Sequence, residues 1–472
     1  MPAPVIRSCR SPFDLLAAIV LVGCTQVTGL PIDPVGSRSD AAATDFGGLR
    51  RGDSVPHDDI ASPPDRDDHV EVLDGAEVSG PPADARRDVA PSPALDATSP
   101  PDSLGGSGAD GRTPQSGPLF GAPVTISIPD GLGPGGRNAT AIGIGDVTGD
   151  GRADVIVGTY HPAIVVYPQT ADGTLGPPVK YPISSGSVSP PGLLDVGDLD
   201  GDGRLDVVFP RDDGIGLLRG RAVGDFEPEQ VLPPPPVGSG YDLEIADLDG
   251  DGRKDLVVMP YDSTGVEVRL QDSAGVLVSI GFFRCPGDSY STMATGDTDG
   301  DGLTDIVLGI YGGPLCLLRQ RAGGGFEDGV AFPVNGQVSG VAVGNFGAVA
   351  GKPAVAFALY GNRPDSQLGF FTPSSTGVTT TPTLLGARDL PEGIAAIDVD
   401  GDGLLDIVVL HVAFELVGAF RALPTGGLAP EELYPFSWIN HGADRLAVGD
   451  INGDGRPDVV SADFDLSILY HL

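Results

Sequence analysis

The chain has 472 residues, 65 of them acidic and 28 basic, for a formal charge of −37. That balance excludes nucleic acid and anionic lipid as electrostatic partners, since both would be repelled, and it suits a chain that gathers cations. Glycine (71) and proline (45) are abundant and aromatic residues make up 6%, which favours turns and short strands over helices.

The start reads as a targeting segment. Arg7 and Arg10 supply positive charge, and an apolar stretch from Leu15 to Val22 follows. It is too short to span a bilayer as an ordinary helix. Its end, LVGC at 21–24, resembles a bacterial lipobox. That resemblance implies a lipoprotein signal peptide over 1–24, with Cys24 the lipidated first residue of the mature chain. Asp14 and Cys9 fit the pattern less well, so a plain secretory signal is the alternative. Thr25 stands where an Asp would mark inner-membrane retention. The resemblance therefore implies an exported protein, lipid-anchored at a bacterial outer membrane, or otherwise secreted. No transmembrane helix is expected beyond Val22.

Residues 25–117 are rich in Pro, Asp, Ala, Ser and Gly, with 17 acidic residues against 7 basic and Phe46 as the one Phe, Tyr or Trp. Too little apolar surface is present to offset the entropy of ordering, so we expect a disordered linker, on the order of 50 Å end to end. The tripeptide RGD at 51–53 matches an integrin-binding sequence, but chance explains it in such a composition. HDD at 57–59 and DRDDH at 65–69 read as solvated acidic runs.

From residue 118 the sequence is periodic. DVTGDGRAD starts at Asp146, DLDGDGRLD at Asp198, DLDGDGRKD at Asp247, DTDGDGLTD at Asp297, DVDGDGLLD at Asp398 and DINGDGRPD at Asp450. A gap of twice the usual spacing holds GNFGAVAGKPAVAF (344–357), which keeps the apolar flanks and loses the acids. With it the starts fall at 146, 198, 247, 297, 345, 398 and 450, giving seven units of 48 to 53 residues. Each unit reads as four short strands: one into the acidic loop, as VAVG (341–344); one out of it, as DIVLGI (305–310); then two more, as GPLCLLRQ (313–320) and GFEDGVAFPV (325–334). Four strands at this period predict a β-propeller blade. The seventh unit stops at SILYHL (467–472), one strand short, while GPLFGAPVTISIPD (117–130) stands unattached before the first loop. We therefore expect an all-β, seven-bladed propeller of four-stranded antiparallel blades, closed by that N-terminal strand completing the last blade and leaving fewer exposed edges.

The spacing D-x-[D/N]-x-D-G-x-x-D places side-chain oxygens at positions 1, 3, 5 and 9 and a glycine at position 6. Calcium takes six to eight oxygens, and its charge turns mutual repulsion of the carboxylates into attraction. An EF-hand would need Glu at position 12, where the second loop has Phe209. Magnesium keeps more waters, and zinc or copper would call for His or Cys, which these loops lack.

These repeats resemble FG-GAP/VCBS-type repeats, found in the propeller head of integrin α subunits and in many secreted bacterial proteins. The resemblance covers 118–472 and implies calcium ligands at Asp146, Asp150 and Asp154; Asp198, Asp200, Asp202 and Asp206; Asp247, Asp249, Asp251 and Asp255; Asp297, Asp299, Asp301 and Asp305; Asp398, Asp400, Asp402 and Asp406; and Asp450, Asn452, Asp454 and Asp458. That makes about six sites. Thr148 at position 3 weakens the first, and the fifth unit, with Asn345, Gly347, Val349 and Pro353 at ligand positions, holds no ion. Lys352 is a candidate stand-in charge there. In this family the calcium loops join the first and second strands of each blade, so the ions' role is structural. Cys285 and Cys316 either form a disulfide, which an exported compartment permits, or are two separate buried thiols.

Function would then sit on the opposite face. Fourteen residues after the loop starts come Tyr160, Asp212, Tyr261, Tyr311, Leu359 (with Tyr360 next), Val412 and Phe464; Tyr241, Tyr290, Trp438 and His441 fall between units. An aromatic ring of Tyr160, Tyr261, Tyr311, Tyr360 and Trp438 is a candidate ligand face, suited to sugars or to a protein; packing of turns is the plainer reading. The sequence carries no G-x-S-x-G, H-E-x-x-H, P-loop or dinucleotide fingerprint. We expect a monomeric binding or adhesion module rather than an enzyme. A polysaccharide lyase or hydrolase, or a purely structural envelope protein, is the alternative.

Overall fold

The computed structural model describes residues 117–128, 139–159, 163–184, 193–236, 241–260, 264–287, 290–310, 313–349, 352–373, 381–412, 414–437 and 446–472. All lie in the compact unit spanning Val89–Leu472. The signal peptide with Cys24, and the linker apart from Gly117, fall outside the described residues.

Among the described residues, seven four-stranded antiparallel sheets are present, six of them in simple sequence order. Blade two is representative, with strands Asp195–Gly197, Asp206–Arg211, Gly214–Leu218 and Gln230–Leu232. Its second strand, DVVFPR, is buried at every position, because neighbouring blades cover both faces of a middle strand and alternation gives way to a continuous apolar run. Outer strands are covered on one face, so Val179, Val231, Val278, Val330, Leu384 and Leu433 stand exposed.

Among the described residues the core is divided among seven apolar clusters, each drawing on two adjacent blades. Val155 and Val157 pack with Val460 and Ile468 of the last blade, while Ile156, between them in sequence, packs with Val207 and Phe209 of blade two. One strand thus serves two interfaces, which is how a period of two builds a ring.

The ring closes as the repeat count requires. Val124–Ser127 pairs antiparallel with Asp465–Ile468 as the outer strand of the last blade. Phe120 continues the contact by bridging His471, and Tyr434 Oη accepts the Leu119 N–H at 3.0 Å.

Blade five differs where the acids are missing. Its first two strands, Gln337–Val349 and Lys352–Tyr360, run on into a hairpin that pairs Val349 with Lys352. Lys352 is exposed at the hairpin tip instead of standing inside a ligand cage, which corrects its assignment as a stand-in charge. Phe346 is fully buried in the apolar cluster shared with blade six.

Cys285 and Cys316 form a disulfide, with Cα atoms 6.1 Å apart. It joins the end of blade three's outer strand to the third strand of blade four. Gly329 lies against it: a Cβ there would stand 2.6 Å and 2.7 Å from the two sulfurs. Among the described residues no helix is long and apolar enough to cross a membrane.

Candidate metal centres at the blade joints

Each acidic loop links the first and second strands of its blade and folds around its first carboxylate. In blade two, Asp198 accepts the N–H groups of Gly201 (2.7 Å), Asp202 (3.1 Å) and Gly203 (2.8 Å). Gly201 and Gly203 have φ of 76° and 80°, a backbone region that costs a side chain free energy and costs glycine almost none. The turn therefore needs glycine at position 4 as well as position 6. The repeated Asp-Gly-Asp-Gly string carried that signal, and the sequence reading used half of it. Asp247, Asp297, Asp398 and Asp450 bond their loop glycines in the same way.

The ninth-position Asp anchors the loop from inside. Asp206 is 1% exposed and accepts the Leu199 N–H at 3.0 Å and the Gly220 N–H at 2.9 Å, the latter from the end of the third strand. Asp255, Asp406 and Asp458 repeat this pair of bonds. Burial pushes these carboxyls up, Asp206, Asp406 and Asp458 to about 7 and Asp154, Asp255 and Asp305 to about 6. At Asp206 the Asp200 carboxylate adds to the rise, and the Gly220 and Leu199 N–H donors and the Arg219 guanidinium oppose it.

Four loops bring three carboxylates to within 4.8 Å of one another: Asp198, Asp200 and Asp206; Asp247, Asp249 and Asp251; Asp297, Asp299 and Asp305; Asp398, Asp400 and Asp406. The remaining acids of these loops, Asp202, Asp255, Asp301 and Asp402, lie outside the trios, and Asp202 pairs with Arg204. Among the described residues the first and last loops assemble no such trio. Thr148 and Asn452 hold their third positions, while Asp146, Asp150, Asp154, Asp450, Asp454 and Asp458 keep the loop frame. The donor set is all oxygen, which fits a hard divalent cation. Asp299 supports the fit independently: its side chain is 8% exposed, and its Oδ1 is buried with no hydrogen bond.

The loops are also joints between blades. A Cβ on Gly224, Gly275 or Gly173 would meet the carbonyl oxygen of Thr148, Asp200 or Asn452, respectively, at 2.6, 2.5 and 2.4 Å. In each case the turn between one blade's third and fourth strands rests on the acidic loop of the blade before it, and the last pair spans the ring closure. Side chains reinforce the contact. Gln271 donates to Asp198 O (3.1 Å), Gln320 donates to Leu248 O (2.7 Å), and His471 Nε2 lies 2.6 Å from Val399 O. Sequence reasoning missed these residues. The recurring Gln in YPQT, RLQD and LLRQ, 23 or 24 residues after a loop start, was the available signal.

Of the candidate ligand face, Tyr160, Tyr261, Tyr311, Trp438 and His441 fall outside the described residues. Tyr360 ends its strand half-buried, opposite Gln337. Tyr290 is a core residue, 3% exposed, with its hydroxyl donating to Cys285 O at 2.9 Å; it opens a strand, which corrects its placement in a loop between blades. Asp212 is exposed and Phe464 is 50% exposed, while Leu359 and Val412 are buried.

No catalytic constellation is assembled among the described residues. His411 bonds Glu431 and Asp389 O. His471 bonds Val399 O, Leu472 O and Arg456. Neither meets a hydroxyl or thiol nucleophile in these bonds.

Comparison with known proteins agrees on architecture. Residues 146–209 and 198–258 match the model of the FG-GAP-like repeat. No curated protein matches the sequence. A crystal structure of BBS1N in complex with ARL6DN superposes with a TM-score of 0.51 at 13% identity, covering 74% of this chain and 98% of that one. A lectin from Agrocybe aegerita, described as recognising non-reducing terminal N-acetylglucosamine, superposes at 0.46 with 16% identity, covering 63% and 80%. At 13% identity the likeness to BBS1N is one of fold. The chain is thus a seven-bladed β-propeller in which residues 146–258 match the FG-GAP-like repeat.

Proposed function

We propose that the chain is a calcium-stabilised binding module, exported and lipid-anchored at a bacterial cell envelope through Cys24, that presents its propeller to a glycan or protein. The observation that carries this is the placement of four three-carboxylate clusters at inter-blade joints. An ion held by oxygen ligands at a joint would hold neighbouring blades together. Bound calcium supplies charge neutralisation there. The chain's own residues fix the loops, through the first-position carboxylates on backbone N–H groups and the buried ninth-position acids. The same architecture in BBS1N was crystallised with a protein partner, which supports partner binding as a use of this fold. The sequence of the first 24 residues supports export.

The test is a melting curve of the full chain with calcium and with excess EDTA, paired with binding to glycan arrays and cell-envelope fractions under both conditions. We expect chelation to lower the melting temperature by several degrees or more and to abolish partner capture. A melting curve indifferent to EDTA removes the calcium reading, and product release from a polysaccharide would replace the binding module with an enzyme.

A further inference from the structure

We propose that Arg219 is the resident counter-ion of the blade-two loop and sets that loop's affinity for calcium, making it the last of the four all-aspartate trios to fill. This rests on the calcium reading above. Arg219 follows blade two's third strand, Gly214–Leu218, and its side chain is 16% exposed. Its Nη1 lies 2.6 Å from Asp200 Oδ2 and 3.4 Å from Asp206 Oδ2. Its Nη2 donates to Gly275 O of blade three at 3.3 Å. The guanidinium thus touches two of the three carboxylates that converge in this loop, Asp198, Asp200 and Asp206.

A second group points into the same loop. Gln271 is 1% exposed, and its Oε1 has no hydrogen bond. That oxygen stands 3.2 Å from where a Cβ on Gly201 would lie.

The equivalent position is cationic in some of the other blades and not in others. It is Pro168, Leu270 and Tyr470 in blades one, three and seven, none of them cationic. In blade four Arg319 Nε comes within 3.4 Å of Asp299 Oδ2. In blade six Arg421 bonds Glu432 at 3.1 Å and Gly117 O at 3.2 Å.

A divalent ion entering blade two must take Asp200 and Asp206 from a fixed positive charge and then sit beside it. Like charges a few ångströms apart at a partly buried site oppose each other strongly. Without an ion, the same guanidinium neutralises the loop and ties it to the turn of blade three. The bidentate fork makes arginine suited to both tasks.

The test uses the full chain, stripped of metal and titrated with calcium chloride against a chromophoric chelator and by calorimetry. Arg219→Gln is expected to tighten the weakest of the four calcium-binding steps assigned to the trios on the order of tenfold. Calcium-free, it melts below wild type, and saturating calcium closes or reverses that gap. Arg219→Lys keeps a charge without the fork and tightens the same step on the order of threefold; it also reads the effect if the glutamine variant fails to fold. Arg363→Gln removes an exposed arginine in blade five and leaves the isotherm unchanged. Calcium uptake by wild type and variants with superimposable isotherms overturns the role of Arg219 and leaves the calcium reading standing. No calcium uptake by any of them overturns both.

Discussion

Gln271 of blade three donates a hydrogen bond from Nε2 to the carbonyl oxygen of Asp198, the first residue of the acidic loop in blade two, at 3.1 Å. The same Nε2 lies 3.1 Å from Lys254 O within its own blade. One buried amide therefore fastens a loop to its own blade and to the blade before it. Gln271→Ala removes both bonds from a buried joint, so we expect a loss of about 2 kcal/mol. Urea unfolding at saturating calcium measures it. The stabilisation that calcium gives the variant should also be smaller than in wild type, because the joint that transmits it is missing.

The Cys285–Cys316 disulfide spans 31 residues of sequence and crosses from blade three to blade four. A loop of that size restricts the unfolded chain enough to contribute about 3–4 kcal/mol. The paired substitution Cys285→Ser and Cys316→Ser should lower stability by that order in non-reducing urea unfolding. Dithiothreitol should lower wild type toward the variant and leave the variant where it is. A wild type indifferent to the reductant would mean that the bond contributes nothing.

The ring was legible because its causes repeat. Strands buried on both faces make continuous apolar runs such as DVVFPR, and the acidic loops recur at a fixed interval, so the blade count and the closing strand follow from spacing. Contacts between blades were less legible. Gln271 and Gln320 read in sequence as polar residues at a strand end, since nothing local says that the neighbouring loop arrives there. Arg219 reads as a surface arginine until the fold brings Asp200 to it. Tyr290 misled for the opposite reason: it follows PGDS, a turn composition, yet opens a strand whose inward face it fills. The cysteine pairing depended on a distance between blades, which no local pattern encodes.

Closure of the ring puts a single aromatic under unusual demand. Phe120 packs edge-to-face on Tyr434 of blade six, with ring centroids 5.1 Å apart, and on His471 of blade seven, at 5.9 Å. It is 3% exposed and lies at the start of the segment that completes the last blade. Phe120→Ala should cost about 3–5 kcal/mol, the usual range for a buried phenylalanine. Because the loss opens a seam between the first and last segments, limited proteolysis should release the N-terminal segment before the other blades unfold. Cleavage spread evenly over the propeller would argue that the seam is no weaker than any other interface.

Glu244 gives the fold a pH dependence that can be separated from the calcium loops. Its Oε1 accepts hydrogen bonds from the Thr295 N–H at 3.1 Å and Thr295 Oγ1 at 3.0 Å, across the joint between blades three and four. Its Oε2 is buried without a hydrogen bond. Burial pushes the carboxyl up to about 7, against 4.5 as a free side chain, with the two threonine bonds opposing the rise. The folded state therefore holds this proton more tightly than the unfolded chain. The cost of ionising it is absent below about pH 4.5, builds as pH rises through the interval, and is complete above about pH 7. A shift of this size corresponds to about 3 kcal/mol. Glu244→Gln keeps the acceptor toward Thr295 and never ionises, so at pH 8 it should be more stable than wild type by roughly that amount. At pH 4.5 the advantage should have vanished. Urea unfolding of both proteins across this range, at saturating calcium, isolates the difference, and parallel stability curves would show that Glu244 titrates normally in the folded chain.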